Sequence, residues 1–163
     1  WIGGDVEVDY LLMLRSPIEV IASLTAIHPV RPLDALCLWI ASVLYSERQT
    51  RHLPRRLISF PELLRKPQDV LSRCRNFFGA SVDLVNDDPA LTMIDASLHR
   101  HKALQAREQV LSESPQLEQL LDFADLVHDA VMHVDQPNGM EKLDGLNQVW
   151  SWKRSELFRL AVD

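Results

Sequence analysis

The stretch that decides the fold is YLLMLRSPIEVIAS, residues 10–23, where a short apolar run meets a helix start without a loop between them. The apolar run is continuous rather than alternating, which predicts a strand buried on both faces, as in a parallel sheet. Ser16 and Pro17 suit the capping and first positions of a helix, and Glu19 has the spacing of a capping box. We therefore expect a parallel strand that passes directly into a helix, with Arg15 at the strand's carboxyl end.

Arg15 and Ser23 make this joint between strand and helix a candidate ligand-binding site. Open α/β sheets bind ligands at the carboxyl ends of their strands. Ser16 and Ser23 are seven residues apart, so they lie on nearly the same helix face. A guanidinium at the mouth of that face and a hydroxyl along it could grip one phosphate, beside the positive end of the helix dipole. The alternative interpretation is structural, with the arginine paired to an acid and the serine facing solvent.

The rest of the sequence predicts mostly helices and one more short strand. Proline and glycine residues mark most of the boundaries. The predicted elements are a helix to Ile27, a largely buried helix from Pro32 to about Arg51, a strand over 56–60, a turn over 61–64, a helix from Pro67 that ends before Gly79, helical segments from Ala103 with a clear amphipathic helix from Ser114-Pro115, a break at Pro137-Asn138-Gly139 and a last helix over 141–161.

Composition and charge narrow the class of protein. The chain has 163 residues, 47% hydrophobic and 25% charged, which describes an ordinary globular chain rather than a disordered or collagen-like one. The net charge of -6 argues against nucleic-acid binding. Residues 1–102 are balanced and residues 103–163 carry the whole excess of acid, which predicts two units with these boundaries. Between Arg48 and Arg75, eight basic residues face two acidic ones, a cluster that suits either a polyanionic small molecule or a solvated face.

Targeting and redox features point to a cytoplasmic protein. The longest dense apolar stretch, 36–45, is about half of the roughly 20 residues that a membrane span needs. Residues 1–5 lack the basic and apolar regions of a signal peptide. Cys37 and Cys74 sit among apolar residues at helical spacing, which predicts buried free thiols in a reducing compartment.

Three stretches resemble the sulfotransferase family. Residues 14–23, LRSPIEVIAS, resemble its 3′-phosphate-binding segment, in which a serine follows an arginine by eight positions. Residues 58–67, ISFPELLRKP, are similar to a strand and turn of that family that read Tyr-Glu-Asp-Leu, and the next helix ends FFG where the family has FLG. Residues 94–101, IDASLHRH, resemble a stretch of bacterial carbohydrate-type sulfotransferases. The resemblance covers about residues 9–102, and residues 103–163 match only in being helical.

The resemblance implies a P-loop NTPase-like three-layer α/β fold, incomplete in this chain, with residues 103–163 as an acidic helical extension packed on it. It implies 3′-phosphoadenosine-5′-phosphosulfate (PAPS) as donor, no metal, and a hydroxyl or amine acceptor, most naturally on a carbohydrate. Arg15 and Ser23 would hold the 3′-phosphate, and Phe60 stands where the family has a tyrosine near the adenine. Arg100 and Lys102 belong to a basic tetrad, 99–102, that either closes over the donor phosphates or forms a solvated turn.

The resemblance also implies what the chain lacks. The family's Gly- and Ser-rich loop for the donor 5′-phosphate and its catalytic base lie upstream of the arginine, whereas only 14 residues precede Arg15 and Gly3-Gly4 is not such a loop. We therefore expect the carboxyl-terminal half of a sulfotransferase, with no catalytic residue of its own and no activity alone. Two alternatives remain: a helical interaction module whose acidic region 103–163 docks a partner, and another P-loop-like transferase such as a nucleotide kinase.

Overall fold

The computed structural model describes residues 8–79, residue 94 and residues 103–160. Over these residues the architecture is helix-dominated with two short parallel strands, as the sequence predicts. A 3₁₀ turn, Pro115–Leu117, directly precedes the helix that begins at Glu118. In chain order the elements are β1 (Tyr10–Leu14), α1 (Pro17–Ile27), α2 (Pro32–Thr50), β2 (Arg55–Ser59), α3 (Phe60–Arg65), α4 (Pro67–Phe77), α5 (Ala103–Glu113), α6 (Glu118–Met132) and α7 (Gly139–Leu160).

Contacts divide the chain into two compact units. The first contains residues 1–15 and 48–100, and the second contains residues 16–47 and 101–163. Helix α1 and most of α2 therefore group with the carboxyl-terminal helices, although both strands that flank them in sequence belong to the first unit. The charge-based division into residues 1–102 and 103–163 stays a prediction about domains.

The sheet of the first unit pairs β1 with β2 in parallel, in a register that runs from Tyr10 opposite Arg55 to Leu14 opposite Ser59. The expectation that β1 is buried on both faces is wrong. Leu11 and Met13 expose 41% and 54% of their surface, whereas Leu14 is buried. Successive side chains of a strand point to opposite faces, so one face of β1 carries this exposed apolar pair.

Helices α3 and α4 complete the described part of the first unit. The predicted turn over 61–64 is instead the short helix α3, because β2 ends at Ser59 and Pro61 occupies one of the first helical positions. Helix α4 starts at Pro67 as predicted, and Gly79 follows its end with a φ of 61°, the left-handed conformation that glycine adopts at low cost. Val70 and Cys74 of α4 pack with Ile58 of β2.

The second unit is a helical assembly in which α1 packs against α5 and α6, and α6 packs against α7. The apolar residues predicted for the helix from Ser114-Pro115 are all buried, although the first belongs to the 3₁₀ turn before α6 and the last follows the end of α6: Leu117, Leu120, Leu121, Ala124, Val127, Val131 and Val134. Helix α2 buries Leu36, Ile40 and Leu44 but exposes Leu38 and Tyr45, so it has a solvent face that its wide apolar arc did not predict.

A tight turn joins α6 to α7 at the predicted break. Asn138 has a φ of 64°, and Gly139 starts α7 with its backbone close against Val134. A Cβ atom on Gly139 would lie 2.3 Å from the Val134 carbonyl oxygen, so glycine is required there by lack of space.

Both cysteines are free thiols in the structure, as predicted, with Cys74 buried and Cys37 half-buried. Burial raises the pKa of the Cys37 thiol. Among the helices of the described ranges, none has the length and apolar character needed to cross a membrane.

Candidate functional site

Two residues predicted to bind the donor lie together in the first unit. Arg15 directly follows Leu14, and Phe60 directly follows Ser59, the residue paired with Leu14 in the sheet. The guanidinium carbon of Arg15 lies 4.6 Å from the centroid of the Phe60 ring, within the range of a cation–π interaction. The carboxyl ends of both parallel strands therefore present a cation and an aromatic ring side by side.

The local sequence explains why these positions coincide. Each strand passes into a helix with almost no loop, because Pro17 and Pro61 stand within the first two positions of α1 and α3. Short joints leave the residue at the end of each strand little freedom to move away from the sheet. Arg15 and Phe60 are both half-buried as a result.

The capping box predicted at the start of α1 does not form. Ser16 occupies the capping position, but its side chain makes no capping hydrogen bond. Glu19 is 96% buried, since only 4% of its surface is exposed. The sequence predicted only a capping-box role for Glu19, and its burial arises from packing that the local pattern does not encode.

The structure describes less about Ser23, Arg100 and Lys102 than about Arg15 and Phe60. Ser23 is a half-buried residue of α1 and belongs to the second unit, whereas Arg15 belongs to the first unit. The convergence of Arg15 and Ser23 on one phosphate therefore stays a prediction. Arg100 and Lys102 lie outside the described residues, and their contact with the donor also stays a prediction.

His128 of α6 is a partly buried imidazole beside the aromatic core of the second unit. Burial lowers its pKa, against the opposing effect of the nearby carboxylates of Asp125, Asp129 and Glu19. Its ring centroid lies 6.3 Å from that of buried Trp39. The environment thus favours a neutral imidazole at His128.

A second polar feature of the first unit is a cavity of about 280 Å³ lined by Ser59, Glu62, Arg65 and Lys66. The lining belongs to the end of β2, to α3 and to the residue that follows it. The sequence indicated this region only through the basic cluster between Arg48 and Arg75. The lining residues are three or four positions apart. A sequence-based prediction of a helix over 61–64 would therefore have placed them on one helix face.

Metal ligation has no support in the described ranges, which hold no cluster of three or more histidine, cysteine, aspartate or glutamate side chains suited to a metal ion. No protein-family model, curated protein or solved structure matches this chain. The likeness to sulfotransferases therefore depends on the quoted motifs. The structural evidence that bears on function is the arrangement of Arg15 and Phe60.

Proposed function

We propose that the chain is the donor-binding half of a sulfotransferase with a P-loop-like fold. In this proposal it holds the 3′-phosphate of PAPS while a sulfuryl group passes to a hydroxyl or amine acceptor, of which a carbohydrate is the favoured class. The observation that carries the proposal is the placement of Arg15 beside Phe60 at the carboxyl ends of two adjacent parallel strands.

The chemistry of this pair suits an adenosine bisphosphate. A guanidinium forms strong paired hydrogen bonds with phosphate oxygens, and its charge persists at any physiological pH. An aromatic ring offers a stacking surface to a base. Arg15 and Phe60 would supply both groups at the edge of a sheet where α/β proteins bind ligands. Ser23 is assigned to the same phosphate through the motif resemblance.

The exposed face of β1 supports the P-loop-like part of the proposal. Parallel sheets occur almost only with both faces covered and in larger sheets. Leu11 and Met13 nevertheless leave about half of their surface exposed in the two-stranded pair. Such a pair is the arrangement expected for part of a larger α/β sheet whose remaining elements lie outside these residues.

Within the proposed reaction, this chain positions the donor and makes no bond. Sulfuryl transfer, like phosphoryl transfer, depends mainly on the alignment of donor and acceptor and on stabilising the charge that develops between them. The 5′-phosphosulfate loop and the base that takes the acceptor proton would come from other residues of the whole protein. Arg15 would fix the far end of the nucleotide and so set the reach of the sulfuryl group.

Calorimetric titration with two nucleotides tests the proposal. Adenosine 3′,5′-bisphosphate should bind more tightly than adenosine 5′-monophosphate, since only the former has a 3′-phosphate. Arg15→Ala should remove most of this preference, at least about tenfold for a lost charged contact. Arg56→Ala is the matched control, because Arg56 is an exposed arginine of β2 and should leave the preference intact. An unchanged preference in the Arg15 variant would reject the assignment.

An interaction module without catalysis is the second candidate. Trp152 of α7 exposes 61% of its surface, and Val149, three residues earlier on the same helix, exposes 41%. Exposed tryptophan is a residue type enriched at protein interfaces. This candidate predicts that neither nucleotide binds, so the same titration separates the two functions.

A further inference from the structure

The outer face of α3 carries a cavity that the proposed function does not use. We call it the α3 pocket; it measures about 280 Å³ and is lined by Ser59, Glu62, Arg65 and Lys66. Residues spaced three and four apart share one face of a helix. Phe60 shares the other face with buried Leu64. The α3 pocket is therefore separate from the site where Arg15 meets Phe60.

Among the described residues that line the pocket, the one acid, Glu62, is already paired with a cation. Oε1 of Glu62 lies 2.7 Å from Nη2 of Arg73, which extends from α4. This ion pair places an additional arginine beside the pocket and removes the main source of repulsion for an anion. The same pair raises the pKa of Arg73, so its positive charge is secure at neutral pH.

Arg65 and Lys66 are the cations that would contact a ligand in the α3 pocket. Nε of Arg65 donates a hydrogen bond to the Pro61 carbonyl oxygen at 3.3 Å, which orients the guanidinium and leaves its two terminal nitrogens for other acceptors. Within the described parts of the chain, neither Arg65 nor Lys66 has a carboxylate partner. Ser59 adds a half-buried hydroxyl that can donate a further hydrogen bond.

The surroundings strengthen the positive potential. Between Arg48 and Arg75, all within the first unit, eight basic residues stand against two acidic ones. A local excess of one sign of charge concentrates counter-ions. The α3 pocket lies within this basic stretch of the chain.

We infer that the α3 pocket binds a tetrahedral oxyanion, in the form of a phosphate or sulfate ester group. Arg65 supplies a two-pronged contact through its terminal nitrogens, Lys66 supplies a point charge and Ser59 supplies a hydroxyl donor. The cavity is larger than the oxyanion alone, which leaves room for part of an organic group. The inference concerns a second site and does not depend on the proposed function.

Backbone-amide NMR of the full chain at low salt, titrated with inorganic phosphate, is the first test. Shifts should saturate at Glu62 and Lys66. The double variant Arg65→Ala, Lys66→Ala should weaken phosphate binding by at least about tenfold, since it removes two charged contacts. Arg56→Ala is the control for loss of positive charge outside the pocket. The Arg15→Ala variant should retain the shifts at Glu62 and Lys66, which separates the α3 pocket from the proposed donor site.

A second pair of variants distinguishes a built site from general charge. Glu62→Gln and Asp69→Asn each remove one negative charge, but Asp69 is an exposed residue of α4 that does not line the pocket. Glu62→Gln should tighten phosphate binding severalfold, whereas Asp69→Asn should change it little. Equal effects of the two variants, or saturation that never occurs at Glu62 and Lys66, would overturn the inference.

Two sugar esters identify the source of the oxyanion. Glucose 6-phosphate and glucose 6-sulfate carry the same sugar and differ in the charge of the ester. A phosphate site should prefer the dianionic phosphate ester, and a sulfate site should bind the sulfate ester at least as tightly. Glucose itself should produce no shifts at Glu62 and Lys66, and shifts of equal size with glucose would contradict an oxyanion site.

Discussion

The guanidinium carbon of Arg15 lies 4.6 Å from the centroid of the Phe60 ring, although 44 residues separate the two in sequence. Parallel pairing of β1 with β2 brings them together, because Leu14 is opposite Ser59 in the sheet. Arg15 directly follows Leu14, and Phe60 directly follows Ser59. A cation and a ring are thus held at one edge of the sheet before any ligand arrives. This relationship has consequences for stability as well as for binding.

The interaction of Arg15 with Phe60 should be measurable in a double-mutant cycle. We expect Arg15→Met and Phe60→Leu to show a coupling of about 0.5–1 kcal/mol in the free energy of unfolding, as found for exposed cation–π pairs. Urea denaturation of the wild type, both single variants and the double variant measures it. The control cycle combines Arg15→Met with Phe77→Leu, since Phe77 makes an edge-to-face contact with Phe78 instead. Coupling of the same size in both cycles would contradict a specific pair.

Two glycines of α7 should respond in opposite directions to the same substitution. Gly139→Ala should destabilise the protein by about 1–3 kcal/mol, because the new Cβ meets the backbone of Val134 at 2.3 Å. Gly145→Ala should stabilise it by about 0.5–1 kcal/mol, because Gly145 is helical with open space around it. Thermal and urea unfolding compare the two variants. A neutral Gly139→Ala would mean that the turn before α7 is looser than described.

Arg107 should contribute more to the free energy of unfolding than an ordinary surface arginine does. It extends from α5 and pairs with both Asp122 and Asp125 of α6, with its side chain only 28% exposed. We expect Arg107→Lys to cost about 0.5–1 kcal/mol, since a single ammonium cannot span two carboxylates. Arg31→Lys is the control, because Arg31 is well exposed and its carboxylate partner among the described residues is nearby Asp34. Urea denaturation should show no measurable change in the control, and a loss as large as that of Arg107→Lys would remove the distinction.

Burial of His128 should make the protein less stable in mild acid. Its pKa is lowered in the folded state, mainly by burial, even though Asp125, Asp129 and Glu19 oppose the effect and His133 adds to it. Between the unfolded pKa of about 6.5 and the lower folded value, the unfolded chain binds the proton first. The free energy of unfolding should therefore fall as the pH drops below about 6.5.

The variant His128→Gln isolates this effect. It should lose part of the fall in stability between about pH 7 and pH 5, because glutamine does not titrate. Urea denaturation at both pH values measures the difference. His28→Gln is the control and should keep the wild-type fall, since His28 is exposed and is not among the groups that act on His128. Parallel pH profiles for the wild type and His128→Gln would show that another group controls the acid side.

Most of the element boundaries could be predicted from the sequence because they depend on local chemistry. Proline fixes φ and lacks a donor, so Pro17, Pro32 and Pro67 predict helix starts that the structure confirms. The break before Gly139 follows for a similar reason, as Asn138 and glycine tolerate the backbone of a tight turn. The stripe of α6 is periodic over five turns, and a pattern of that length has one interpretation.

The candidate site was predictable only in part. The motif around Arg15 indicated a cation at the end of a parallel strand, and the second motif placed Phe60 near it. The α3 pocket was not predicted, because the sequence predicts a turn over residues 61–64, PELL, where the structure has a helix. Whether that segment continues as helix depends on Leu64 finding a buried position, which is a tertiary effect.

The sequence by itself determined where most of the strands and helices begin and end, since proline geometry and apolar periodicity act over a few residues. The tertiary structure alone decided which elements pair and which side chains are buried. It set Leu14 opposite Ser59, left Leu11 and Met13 exposed and enclosed Glu19. These outcomes depend on contacts between segments far apart in the chain, and the burial they produce has no counterpart in any local pattern.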